Sequence, residues 1–310
     1  MNKSDYAKRN AHIAILLANL GWGIMSPISK DVMLSEVISP LALSGIRITG
    51  GALMFFIFSF ILPESVKTRQ KIDSRDWLRL AAASLLIISA NQGLFIIGVG
   101  MTNPIDSSVM SSLTPVFTMI LAAIFLHFRM RWLKVSGVII GLAGALLLVA
   151  SSPQSSIASN PLMGDLFCMA AQFCAAVYYV AFSDIIRKYS PYTLMKWLFF
   201  ISTFTYVPFC IPSILKTDFS AIDLKIWGEL AYIIIVATFI GYLLIPVAQR
   251  QLKPTVVSMY NYLQPVFAAI IAVTLGVGNF GWVKAGATLM VFFGIALVNR
   301  SVDNTTSDVK

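Results

Sequence analysis

Charge is what this chain has least of. Only 12% of its 310 residues are charged, against 57% that are hydrophobic, and the mean hydropathy is +0.80. A soluble domain is about 25% charged, and a soluble chain this apolar would expose patches that aggregate. Histidine occurs twice, as His12 and His127 near the ends of apolar runs, and no acidic cluster stands inside one. A membrane-embedded enzyme needs a nucleophile–base or metal constellation at depth, and none can be assembled here. The three cysteines, Cys168, Cys174 and Cys210, lie inside apolar runs without pairing or metal-ligand spacing, so they read as small buried side chains. No metal and no cofactor are expected. The period-2 alternation of a membrane barrel is also missing.

Long apolar runs fill the space. Residues 198–215 and 230–248 are two of them, and about 20 such residues cross a bilayer as a helix. Backbone groups in lipid must be satisfied within the segment, which makes the runs helical. Turn and charge breaks divide the chain into ten spans, near 12–29, 40–62, 77–100, 104–127, 131–150, 164–183, 190–213, 227–249, 254–275 and 282–300. The first has a positive start, but NLGWGIMSPISK offers no small-x-small cleavage site, so it reads as a mature helix rather than a signal peptide. The fold class is therefore an all-α integral membrane protein.

Two stretches are written alike: PIDSSVMSSLTPVF at 104–117 and PTVVSMYNYLQPVF at 254–267. At this offset of 150, Trp77 meets Trp227, Leu94 meets Leu244, Trp132 meets Trp282, Lys134 meets Lys284 and Gly144 meets Gly294. Between Pro104 and Val149, 12 of 46 ungapped positions are identical, too many for a chance match of one short stretch. The N-terminal quarters match more weakly, Ser39-Pro40 against Ser190-Pro191. The domains follow: 1–150 and 164–310 are five-helix repeats, joined by the uncharged Ser-, Pro- and Asn-containing segment 151–163.

Orientation comes from the cations. With the N-terminus inside, 17 of the 23 Lys and Arg fall on the cytoplasmic side, 4 outside (Lys30, Lys216, Lys225 and Lys284) and 2 within spans (Arg47 and Lys196). That bias is the positive-inside signal. It also accounts for the net charge of +9 without invoking nucleic acid. Five spans per repeat is an odd number, so the second repeat enters the membrane inverted and both termini are cytoplasmic. Inverted repeats are the architecture of secondary transporters, with the substrate site near the midplane between the halves.

Polar side chains at lipid depth mark where that site would be. Span four carries Ser107, Ser108, Ser111, Ser112 and Thr114 before Pro115; span nine carries Ser258, Tyr260, Asn261, Tyr262 and Gln264 before Pro265. Each proline removes a backbone hydrogen bond in mid-helix, so the repeated LxPVF predicts one kinked helix in each half. Asn91 and Gln92 in span three, Tyr178 and Tyr179 in span six, Tyr242 in span eight and Trp22 in span one complete the expected cavity. The serines could equally serve close helix packing, and Trp22 could anchor at an interface. Arg47 and Lys196 either face an anionic substrate group or snorkel outward. Asp106 and Asp165 read as helix-start residues, so protons are an open question as coupled partners. Gly137, Gly141 and Gly144, echoed by Gly286 and Gly294, suit close helix contact inside a monomer or at a weak homodimer seam.

ANLGWGIMSPISK at 18–30, Pro40 with Arg47 in IRITGGAL, GVIIGLAGALLL at 137–148, Gly164-Asp165 and Arg187-Lys188 together resemble the EamA-type transporters of the drug/metabolite transporter superfamily. The likeness spans nearly the whole chain. It implies a multi-pass carrier of the inner (plasma) membrane that moves a small organic molecule without ATP. Amino acids are the leading cargo class, as exporter or exchanger. Nucleotide-sugar, other phosphorylated or drug-like cargo is the alternative, although phosphate would call for several cavity cations where only Arg47 and Lys196 are on offer.

Overall fold

The computed structural model describes residues 3–61, 70–102, 107, 110–127, 131–150, 159–274 and 281–307, and among them there are helices and no strands. The helices are α1 (Lys3–Leu34), α2 (Pro40–Ile61), α3 (Ser74–Met101), α4 (Thr114–Phe125), α5 (Trp132–Ala150), α6 (Pro161–Ala181), α7 (Ser183–Lys188), α8 (Pro191–Thr205), α9 (Val207–Leu215), α10 (Leu224–Gln249), α11 (Pro254–Met259), α12 (Leu263–Thr274) and α13 (Trp282–Ser307). Six of them are long and apolar enough to cross a membrane: α1, α2, α3, α6, α10 and α13. A seventh results if α8 and α9, bent by 63°, are one broken span.

Of the three expected spans that this leaves, the fifth is the continuous helix α5 and the other two are broken. Beyond the α8–α9 bend, where Pro208 begins a new turn, the fourth span is interrupted at Ser112-Leu113 and the ninth at a 3₁₀ turn, Tyr260–Tyr262. Both interruptions precede the repeated prolines. Pro115 cannot donate to the carbonyl of Ser111, and the Thr114 hydroxyl donates to that oxygen instead, at 2.9 Å. Two further irregularities fall inside long helices: α3 is π-helical over Leu85–Ala90 and α10 over Ile233–Ile240. These segments overlap at the 150-residue offset. The sixth span begins earlier than expected, inside the anticipated 151–163 linker. Asn160 caps it by accepting from the Met163 N–H, and Pro161 is its first residue. Asp165, expected at the helix start, accepts instead from the Thr102 hydroxyl at 2.6 Å, joining α6 to the end of α3. Asp106 and residues 151–158 of the linker lie outside the described residues.

The packing repeats with the halves exchanged. α3 lies against α6, and its counterpart α10 lies against α1; α4 lies against α6, and α12 against α1; α8 meets α3 as α10 meets α2. Counterparts also meet each other: α5 packs on α13, and α2 on α8 and α9, while α4 meets α11, the first part of the broken ninth segment. Outer surfaces are apolar, as a lipid-facing bundle requires. The counterpart tryptophans Trp132 and Trp282 are 88% and 94% exposed, so they face outward rather than into the bundle.

At opposite ends of the bundle, ion pairs tie neighbouring helices. Lys188 of α7 bonds Asp73 and, at 2.6 Å, Asp76 at the start of α3; Arg79 pairs with Asp184 at 2.8 Å. Asp73 and Asp76 hold the Lys188 ammonium above its ordinary range. At the far end of α3, the Lys30 ammonium donates to the carbonyls of Val99, Gly100 and Thr102 at 3.1–3.2 Å, and the adjacent Asp31 pairs with Lys225 of α10.

The α5–α13 seam is backbone against backbone. A Cβ on Gly294 would stand 2.6 Å from the Gly137 carbonyl oxygen, and one on Gly144 2.7 Å from that of Ala287. Gly141 makes room for the Tyr262 ring. Gly286, expected in the same stripe, meets nothing within 4 Å and is no part of the seam. This contact is within one chain, so these glycines are used up by the monomer. Gly294→Leu should lower the thermal unfolding midpoint in detergent, an overpacking cost of about 1–3 kcal/mol or more, while Gly286→Leu should match the parent. Equal midpoints for the two variants would refute this seam.

Candidate functional site

A cavity partly open at its mouth, about 520 Å³ when the open space at that mouth is counted, lies at mid-depth in the bundle. Its walls come from α1 (Trp22, Met25), α2 (Arg47), α3 (Ile87, Asn91, Gln92, Phe95), Ser111 just before α4, α6 (Gln172, Ala175, Tyr179), α10 (Tyr242) and the broken ninth segment (Asn261, Gln264). Both halves contribute. The irregular backbone gathers here, since the π segment of α3 precedes Asn91 by one residue and the π segment of α10 ends two before Tyr242. π segments inside α-helices recur at functional sites.

Hydrogen bonds fix the walls. Trp22 donates from its indole nitrogen to the Ala237 carbonyl in the π segment of α10, at 2.8 Å, and meets the Tyr242 ring edge-on at 5.5 Å. The Tyr242 hydroxyl donates to the Asn91 side-chain oxygen at 3.1 Å, while the Asn91 amide donates to the Ala171 carbonyl at 2.8 Å. Gln264 donates to Asn19 at 3.0 Å, and Asn19 in turn to the Ile15 carbonyl. Ser111 donates to the Ser107 carbonyl. The Gln172 side-chain oxygen lies 2.8 Å from the Thr114 hydroxyl, whose one proton it shares with the Ser111 carbonyl.

Arg47 supplies the charge. It is 1% exposed, its Nε donates to the Thr238 hydroxyl at 3.2 Å, and its Nη1 has no hydrogen-bond partner. No Asp or Glu stands among the lining residues. Lys196, the other embedded cation, lies elsewhere, with its ammonium 4.5 Å from the centre of the Phe56 ring. Among the described residues no group of three or more His, Cys, Asp or Glu could hold a metal ion.

The structure thus brings nine of the expected site residues into one cavity: Trp22, Arg47, Asn91, Gln92, Ser111, Tyr179, Tyr242, Asn261 and Gln264. Four others stand apart from its lining. Ser112 is fully buried beside it. Tyr178 packs between Tyr179 and Phe182. Tyr260 shares a 2.6 Å hydrogen bond with the His12 ring, and Tyr262 is buried against α5, donating to the Val138 carbonyl at 3.1 Å. Ser108 lies outside the described residues. Met25, Ile87, Phe95, Gln172 and Ala175 were not expected. Only Gln172 carried a sequence signal, as the lone amide inside the sixth apolar run.

Comparison with known proteins agrees with this architecture. The family described as EamA-like transporter family matches residues 9–150 and again 162–300. The chain is 23% identical over 288 residues to the uncharacterized transporter YyaM of Bacillus subtilis (strain 168), covering 90% of this chain and 92% of that one. It is 23% identical over 195 residues, 63% of each chain, to a probable terminal-alkyne amino-acid exporter of Streptantibioticus cattleyicolor. A solved crystal structure superposes with a TM-score of 0.71 at 17% identity, covering 94% of this chain and 97% of its own, a likeness of fold. With a lipid-facing helical bundle, a polar cavity between its halves and a family match across both of them, the chain belongs to the EamA-like transporter family and is a membrane transporter rather than an enzyme.

Proposed function

We propose that this protein is a secondary carrier that moves a small organic metabolite, foremost an amino acid, across the inner (plasma) membrane by alternating access, as an exporter or exchanger. Ten spans in two inverted five-helix repeats, 1–150 and 164–310 with the linker between them outside and both termini in the cytoplasm, make up this reading, and one chain forms the working unit. The observation that carries it is the mid-depth cavity, where Ser111 of one broken helix and Asn261 and Gln264 of its repeat counterpart meet around a buried arginine. The exchange of halves in the packing supports the repeat, as do the two family matches of nearly equal length. The exporter relative names an amino acid, which supports the cargo class. Phosphorylated cargo is disfavoured because Arg47 is the sole cation among the lining residues.

Two measurements test this. In proteoliposomes preloaded with unlabelled amino acids, labelled neutral and aromatic amino acids should accumulate by exchange. Dependence on an imposed pH gradient would add a proton to the cycle, and silence from folded protein would sink the amino-acid reading. For topology, single cysteines placed at Ser155 and at Ser307 in a cysteine-free background should label from outside and from inside respectively. Labelling of both from the same side would break the ten-span arrangement.

A further inference from the structure

Two buried side chains at the cavity carry polar atoms without a hydrogen-bond partner. Arg47 and Gln92 are each 1% exposed. The Arg47 Nη1 lacks a partner, and so do both ends of the Gln92 amide, Nε2 and Oε1. Among the neighbouring amides, Asn91 is bonded at both ends, to Ala171 and Tyr242, Gln264 donates to Asn19, and Gln172 accepts from Thr114. Buried polar atoms in native proteins are almost always satisfied, and exceptions call for an absent ligand or a functional reason. Here two exceptions line the same cavity, and one of them is a full charge that no lining carboxylate balances.

We propose that Arg47 and Gln92 form a subsite for the carboxylate and adjacent amine of a neutral α-amino acid. This rests on the carrier reading and deepens it. The Nε of Arg47 is held by Thr238 and its Nη1 is unpartnered at the cavity wall, and a planar carboxylate accepts two parallel hydrogen bonds from a guanidinium fork. One carboxylate balances one arginine, whereas a phosphate dianion would stay half-neutralised. The Gln92 amide presents a donor and an acceptor side by side. An α-amino acid offers the complement on adjacent carbons: Nε2 donates to a carboxylate oxygen and Oε1 accepts from the ammonium. Trp22, Phe95, Tyr179 and Tyr242 then supply an apolar and aromatic wall for the side chain.

The test is exchange in proteoliposomes with matched sets of probes: leucine and phenylalanine, their methyl esters, their decarboxylated amines and their deaminated acids. The parent protein should exchange the amino acids about tenfold or more faster than the esters and amines, the loss expected on removing a charge-assisted hydrogen bond. Arg47→Gln should exchange the amino acids poorly and no longer separate acid from ester, with Arg47→Lys recovering part of the preference. Gln92→Leu should keep the preference for acid over ester yet lose that for amino acid over deaminated acid. This second variant carries the test if Arg47→Gln fails to elute as a monodisperse folded protein. A parent that exchanges esters as well as acids overturns the subsite and leaves the carrier standing, as does a folded Arg47→Gln with unchanged preference. Stronger inhibition by glucose 6-phosphate than by either amino acid would reassign the cation to phosphate and overturn the proposal. A folded parent that exchanges no probe overturns subsite and amino-acid reading together.

Discussion

In hydrocarbon an unpaired peptide N–H or C=O costs several kcal/mol, and this governs where the chain can depart from an α-helix. The departures at Pro115, in the two π segments and at the 3₁₀ turn are supported by a side chain or open on the cavity. The Ser111 carbonyl freed by Pro115 is taken by Thr114. In the π segment of α10 the Ala237 carbonyl is taken by Trp22, and the Thr238 hydroxyl accepts from Arg47. Irregular backbone is tolerated at membrane depth where it lines a cavity, and the breaks before Pro115 and Pro265 place Ser111, Asn261 and Gln264 on its wall. The cavity and the helix breaks are one feature seen from two sides.

The same constraint frames Arg47. An arginine at the centre of a membrane helix costs roughly 2.5–3.5 kcal/mol on insertion scales, and one hydrogen bond to Thr238 does not offset it. Snorkelling would relieve the charge, but the side chain is fully buried among α2, α10 and the cavity. Lys196 shows the other outcome, a half-buried cation resting its ammonium over the Phe56 ring. Two cations within apolar helices therefore have opposite fates, decided by what surrounds them.

Much of this was legible in the sequence, and the limits have physical causes. Hydropathy gave helical segments because lipid imposes one answer on an apolar run, and segments 150 residues apart, such as α5 and α13, lie in contact. The π segments were hidden, because 85–90 and 233–240 read as ordinary apolar runs in which one extra residue per turn leaves no trace. Pro208 was visible, but a proline states that a helix can bend, not by how much. Direction around the helix axis was the other blind spot. Tyr260 and Tyr262 stand on either side of Asn261, and the 3₁₀ turn they share sends them to His12 and to α5 while Asn261 faces the cavity. A polar group at lipid depth argued for cavity lining, whereas Gly141 makes the room that lets Tyr262 pack instead. Gly286 failed in the opposite sense, carrying the right residue type on the wrong face of α13.

What differs between the interior seam and the two ends bears on how such a molecule could move. Counterpart helices α5 and α13 touch backbone to backbone through Gly137, Gly144 and Gly294, a contact with no slack because any displacement loses its packing. The ends are held otherwise, by half-exposed ion pairs that are individually weak and screened by salt. They sit in corresponding places: the start of α3 is tied to α7, which follows α6, and the start of α10 is tied to the end of α1. Arg79 and Glu229 stand 150 residues apart in these two ties, with charge reversed and setting kept. A carrier that opens its site to each side in turn needs contacts at each end that can be exchanged at small free-energy difference, around an interior that stays fixed. Half-exposed ionic ties at the two ends of the bundle are contacts of that exchangeable kind.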